Sequence, residues 1–253
     1  MNIKSLLQNT SLEPLTDFIS EVNFNRCTLY LNSIPKYRDY TIGQIVQNDV
    51  IEYIPRCHPM NYRDWFYLVA VSTSDFLRKF PFVYQSSSRD QSFILQKNFV
   101  KVASFCEAFR YYLLGEKQLT FPDGSNILIE DLGIELGERI KFRLVAKCCE
   151  LQITNEEFLL LLVLIFSSPA IEDLSDTGNL LLSSFQSYYS SSLLKYCMLT
   201  FYQDGPIRFT KLLDVFQVVG QHYEDLNRYF VFLQLTNPEF QLDDIVKKGF
   251  NLL

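Results

Sequence analysis

The chain has 253 residues, 48% of them apolar and 21% charged, a balance that supports a sizeable buried core and excludes disorder of the chain as a whole. Its 23 Lys and Arg against 29 Asp and Glu give a net charge of −6, which makes it a poor generic binder of nucleic acid. The longest apolar run, Phe158 to Phe166, falls well short of the ~18 residues of a membrane span and reads as a buried helix.

The stretch from Met1 to Leu15 mixes polar residues among its leucines and offers no signal-peptide core, so the protein is expected inside the cell. Residues 1 to 60 carry Pro14, Pro35, Pro55 and Pro59 among scattered apolar positions, which predicts an irregular helical wrap. From Tyr62 to Phe80, Trp65, Phe66, Val69, Ala70, Thr73, Phe76 and Leu77 fall at helical spacings, and Pro81 stops the helix. Asp90 is expected to cap the next helix, which runs from about Phe93 to Leu114. Apolar residues lie on nearly all its faces, the mark of a helix inside a multilayer domain.

Short β-prone segments, Leu119 to Phe121 and Ile127 to Ile129, flank Pro122-Asp123-Gly124-Ser125 and predict a small hairpin. Leu136, Ile140, Leu144, Cys148 and Leu151 form one apolar stripe on a further helix. Thr154 with Glu157 makes a capping-box pattern ahead of the run to Phe166. Another helix spans about Gly178 to Tyr202, with Phe185, Tyr189, Leu193 and Tyr196 on one face and Gly205-Pro206 as its breaker.

Phe209, Phe216, Tyr223 and Phe230 then recur every seven residues, and Leu212, Val219, Leu226 and Leu233 follow three places later. This is a four-heptad a/d seam. Helices, short turns and no internal repeat predict an all-α single domain of residues 1 to 253: a three-layer antiparallel helical sandwich with one small β-hairpin.

No two of Cys27, Cys57, Cys106, Cys148, Cys149 and Cys197 have the spacing of a zinc knuckle, and His58 and His222 are the only histidines, so no metal or other cofactor is expected. There is no Gly-rich phosphate loop and no Gly-x-Ser-x-Gly elbow, and neither histidine stands in a nucleophile pattern. An enzyme is not expected.

Pro81, Asp90-Gln91 and Ile94-Leu95 resemble the signature joining the third and fourth helices of nuclear receptor ligand-binding domains. Arg110 stands where that family keeps an arginine at the end of its fifth helix, with the hairpin directly afterward. Leu151-Gln152 with Glu156-Glu157-Phe158 resembles the start of the eighth helix, and Gly205-Pro206-Ile207-Arg208-Phe209 with Leu212-Leu213 the start of the tenth. The resemblance covers roughly Leu6 to Phe250 and is strongest to the divergent nematode receptors. Nothing here resembles the eight paired cysteines of the family's DNA-binding domain, so the chain reads as a ligand-binding domain alone, with no direct nucleic-acid or membrane contact.

The resemblance implies a nuclear, transcription-regulating domain that takes a lipophilic small molecule, fatty-acid-like by preference, in a buried pocket. The implied wall is Trp65, Phe66, Val69, Ala70 and Thr73, faced by Val100, Ala103, Ser104 and Arg110, with Phe121 from the hairpin. The competing reading is that these aromatics simply fill the core. Arg110 either meets a ligand oxygen or pairs with Glu107 one turn earlier. Val69 replaces the Glu or Gln of steroid-binding relatives, which argues against a steroid.

Coregulators are the implied protein partners. Arg78, with Lys79 beside it, would grip one end of a Leu-rich partner helix and Asp244 the other, unless these are solvated surface charges. The family's activation helix places a glutamate between apolar pairs, whereas this chain offers Leu242-Asp243-Asp244-Ile245-Val246. Glu157 and Arg208 occupy the places of a structural ion pair. The seam through Phe209, Phe216, Tyr223 and Phe230 either packs within the domain or extends into a homo- or heterodimer contact. The alternative function is a ligand-independent dimerisation and coregulator domain with its pocket filled by its own side chains.

Overall fold

The computed structural model describes residues 32–47, 50–129, 134–168, 171 and 173–252. The expected wrap of residues 1 to 31 lies outside them. Between residues 32 and 60 the chain is more regular than its prolines suggest. Strand β1 (Ser33–Pro35) pairs antiparallel with β2 (Tyr53–Pro55), Ile34 opposite Ile54, and α1 (Ile42–Gln47) lies between them in sequence. Each strand ends in a proline, which a two-stranded ribbon tolerates because both of its strands are edges.

Helix α2 (Tyr62–Leu77) starts from a reciprocal cap, in which Asn61 accepts from the Asp64 amide and the Asp64 side chain accepts from the Asn61 amide. Pro81 begins the single turn α3 (Pro81–Tyr84), so α2 stops at Leu77, ahead of the expected Phe80. Phe82 of that turn is fully buried and meets the rings of Phe166 and Phe185 at 4.9 and 5.3 Å.

The cap of α4 (Ser88–Leu113) is Ser87, which corrects the role expected of Asp90. Asp90 sits in the first turn, 2% exposed, and accepts from Ser87 Oγ at 3.0 Å, Ser175 N at 3.0 Å and Ser175 Oγ at 2.6 Å. Ser175 caps α7 (Asp176–Phe201), so one carboxylate joins two helix N-termini. Burial alone would raise its pKa, but the hydrogen bonds from Ser175 and Ser87 outweigh burial and hold it below the usual carboxylate range. A Cβ at Gly178 would stand 3.0 Å from this carboxylate, which accounts for the glycine in the first turn of α7.

α4 is the central helix. It packs on α2 to one side and on α5 (Ile134–Leu151) and α8 (Gly205–Thr236) to the other, with α6 (Asn155–Phe166) beside it and α7 beyond. The three-layer helical arrangement follows. Thr154 and Glu157 form the expected capping box of α6. Glu157, with no exposed surface, meets Arg208 through Nε at 2.7 Å and Nη2 at 2.5 Å. Arg208 also donates to the Leu151 carbonyl at 2.7 Å, so this ion pair joins the ends of α5, α6 and α8.

Gly205-Pro206 opens α8, whereas α7 already ends at Phe201. A 3₁₀ turn (Tyr202–Asp204) separates them, and a Cβ at Gly205 would lie 2.8 Å from the Met198 backbone. The expected hairpin reduces to a turn with one bridged pair, Thr120 and Asn126, closed by Phe121 N to Ser125 O at 2.8 Å, with Gly124 at φ +83°. The two-stranded sheet therefore stands at residues 33–55, not at 119–129. Helix α9 (Asp244–Gly249) is the last element among the described residues and packs on α2 and α4.

Candidate ligand pocket and partner surface

A partly open cavity of about 110 Å³ lies between α2, α4, the 119–129 turn, α8 and α9. Six of the expected wall residues line it: Phe66, Val69, Val100, Ala103, Ser104 and Phe121. Four do not. Trp65 turns toward the 119–129 segment, stacking on Phe121 at 5.6 Å and donating Nε1 to Asp123 at 3.3 Å. Ala70 and Thr73 are buried on α2 away from the cavity.

Arg110 is the fourth. Its guanidinium meets Glu107 Oε2 at 2.9 and 2.7 Å and lies over the Tyr111 ring at 4.0 Å. It lines a shallow surface pocket that shares Thr120, Phe121 and Pro122 with the cavity wall. Of its two readings, internal pairing with Glu107 is the one the geometry has.

The wall also includes residues that the sequence did not single out for it. On α4, Phe99 stands four residues before Ala103 and Glu107 four after it, a helical repeat that could have found them. On α8 they are His222, Leu226, Tyr229 and Phe230, and beyond it Val246 and Phe250. His222 is 1% exposed, and its Nδ1 has no hydrogen-bond partner among the described residues. Burial, helped by Arg143 and opposed by Asp225, pushes its pKa down to about 3, so the imidazole is neutral at ordinary pH.

The α8 seam faces inward. Leu212, Val219 and Leu233 are buried, and Phe209 and Phe216 are partly buried against the core. Tyr223 stacks on Phe250 and donates its hydroxyl to the Gly249 carbonyl at 3.0 Å. Phe230 has no exposed surface and meets the rings of Phe66 and Phe250 at 5.0 and 4.5 Å. Tyr223 and Phe230 thus seat the end of the chain. Of the two readings of the seam, packing within the domain is the one these contacts support for Tyr223 and Phe230.

α9 is fastened at both ends. Asp243, just before it, accepts from Arg63 Nε at 3.0 Å and Nη2 at 2.7 Å, with Arg38 Nε at 3.7 Å. At the far end Lys97 donates to Asn251 Oδ1 at 2.9 Å. A Cβ on Gly249 would come within 2.2 Å of the Phe99 ring, so the glycine is what lets α9 close on α4. Asp244 is exposed in the first turn of α9, and lysines 247 and 248 separate the buried pair Ile245-Val246 from Gly249-Phe250. Of the cations expected to grip a partner helix, Arg78 bonds Asp75 at 2.8 Å and the Ile45 carbonyl at 3.0 Å, while exposed Lys79 stands 3.8 Å from Asp75.

The family model described as the ligand-binding domain of nuclear hormone receptor matches residues 48–240. This chain belongs to that family. The receptor domain is 40% identical over 216 residues to nuclear hormone receptor family member nhr-167 of Caenorhabditis elegans, a match covering 82% of this chain and 63% of that protein. It is 32% identical to family member nhr-27 of the same organism, over 93% of this chain and 69% of the relative, and 30% identical to nhr-9, over 87% and 68%. The receptor domain thus spans less than two thirds of nhr-167. Members of the family are ligand-regulated transcription factors, not enzymes.

Proposed function

We propose that this domain regulates transcription in the nucleus by coupling an apolar pocket to a coregulator surface through the position of α9. The observation that supports this reading is that one short segment carries residues of both kinds: Val246 and the following Phe250 line the cavity, while Asp244, the acid expected to grip a partner helix, is exposed. The pocket suits a lipophilic molecule, held by apolar burial at ~25 cal/mol per Å².

The volume favours a second form of the same function. Ligand pockets commonly hold ~300 to 1,000 Å³, and here the rings of Phe66, Phe121, Phe230 and Phe250 leave about 110 Å³. A fatty-acid-like chain would need those rings to move, with Arg110 reached only through the neighbouring surface pocket. The alternative is a domain whose own side chains replace the ligand and keep α9 docked. Native mass spectrometry of protein purified from cells separates the two. A retained lipid whose removal lowers the melting temperature supports ligand binding, and an unliganded chain of equal stability supports the filled pocket.

A further inference from the structure

α1 is six residues long, and its apolar positions are Ile42, Ile45 and Val46. Ile42 and Ile45 are 4% and 0% exposed, and Val46 is half-buried against the core. The helix packs on both α2 and α4. A helix this short does not persist alone, and its last carbonyls lack internal donors. Arg78, at the end of α2, supplies one by donating Nη1 to Ile45 O at 3.0 Å. A cation at the carbonyl end of a helix also complements its dipole.

The segment leading to α1 climbs one face of α2. Arg38 pairs with Asp64. The Tyr67 hydroxyl donates to Tyr37 O at 2.9 Å and accepts from Tyr40 N at 3.0 Å, and Arg78 then holds Ile45. Asp64, Tyr67, Val71, Ser74 and Arg78 are three or four residues apart, so they share that face. Arg38 also lies 3.7 Å from Asp243, which places the latched start of α9 at the lower end of the same face. α1 therefore lies along the flank of α2 that also holds α9, packed on α4, with its carbonyl end at the cation expected to grip a partner helix.

We propose that α1 is an internal occupant of the coregulator groove, so that the domain masks its own partner surface until α1 is displaced. The inference rests on the coregulator reading above. The external partner is defined by the same chemistry: an amphipathic helix with two apolar residues three apart, a third directly after, and its carbonyl end at Arg78. α1 has the advantage of being tethered, since a linked segment competes at an effective concentration in the millimolar range.

The test uses the whole chain and two dye-labelled peptides, one carrying Leu-x-x-Leu-Leu and one copying residues 38–47, read by fluorescence anisotropy. Thr41 and Gln44 cap α1 reciprocally from its outer side, at 2.8 and 3.2 Å, so Thr41→Ala with Gln44→Ala loosens the helix without touching the core. Ile42→Asn with Ile45→Asn removes its grip outright, and circular dichroism checks that each variant is folded. Both variants should bind the peptides at least tenfold more tightly than the parent, and adding Arg78→Ala should cancel the gain. A parent that binds the Leu-rich peptide within twofold of the variants overturns self-masking and leaves the coregulator reading intact. Variants whose α1 amides lose hydrogen-exchange protection, yet which bind neither peptide, sink both.

Discussion

Arg63 and Asp243 lie 180 positions apart in the chain and form a two-bond ion pair, Nε to Oδ2 at 3.0 Å and Nη2 to Oδ1 at 2.7 Å, that ties the start of α9 to the start of α2. Asp243 is nearly buried, and its neighbour Arg38 bridges to Asp64 as well, so three distant segments converge on two carboxylates. Ion pairs at a protein surface are commonly worth little, but a planar guanidinium facing a desolvated carboxylate has geometry on its side.

Asp243→Asn and Arg63→Ala are each expected to loosen α9 by roughly 1 to 3 kcal/mol, the range for leaving a charge-assisted bond unmade. Hydrogen exchange should speed up selectively in residues 244–250, with the amides of α4 unchanged. Arg63→Lys should rescue only part of the protection, because an ammonium cannot make the paired bonds. Uniform loss of protection across the domain would show that the pair supports the whole fold and is not a local latch.

Gly249→Ala is expected to lift α9 from α4. The added methyl would meet Phe99 at 2.2 Å, too near for small adjustments, and overpacking of this kind costs about 1 to 3 kcal/mol. Phe99→Leu in the same chain should restore docking, giving a double-mutant cycle with a favourable coupling energy. If the two changes simply add in urea denaturation and hydrogen exchange, close approach at this point is not what seats α9.

Much of this was legible locally. Thr154 and Glu157 announce the start of α6, and Pro81 ends α2, because caps and prolines act within a turn of where they stand. The Glu157–Arg208 pair was readable only through family resemblance. Asp90 reads as a cap in the sequence because its second partner, Ser175, is 85 residues away. The α8 seam was recognisable as apolar, yet periodicity alone cannot say whether Phe230 meets Phe250 or a second copy. Trp65 and Arg110 stand on correct helices but turn away from the cavity, since Asp123 and Glu107 offer their polar groups partners elsewhere.

Glu157→Gln is expected to cost about 3 kcal/mol or more, because it strands the half-buried Arg208 guanidinium that the carboxylate neutralises. The matched replacement of both residues by Met should cost less than either single change, since no buried charge then lacks a partner. Thermal unfolding of the three variants checks this, and a double variant less stable than either single variant would show that the cost is not that of a stranded charge.

The last expectation concerns acid. His222 titrates near 6.5 in an unfolded chain and near 3 when buried, so between these values the unfolded state holds a proton that the folded state does not. Stability from this group is complete above pH 6.5 and falls as pH drops toward 3, by about 2 kcal/mol at pH 5. The carboxylates of Asp90 and Asp225 also change affinity on folding, but theirs are lowered from 3.8, so their stabilisation fades only at more acid pH. The window from pH 6.5 to 4.5 therefore isolates the histidine. His222→Gln keeps a polar, uncharged group at the cavity wall and should remove most of the difference between urea denaturation at pH 7 and at pH 5. If parent and variant lose stability in parallel across that window, the imidazole is already protonated or hydrated in the folded chain, and the cavity it borders is wetter than its apolar lining implies.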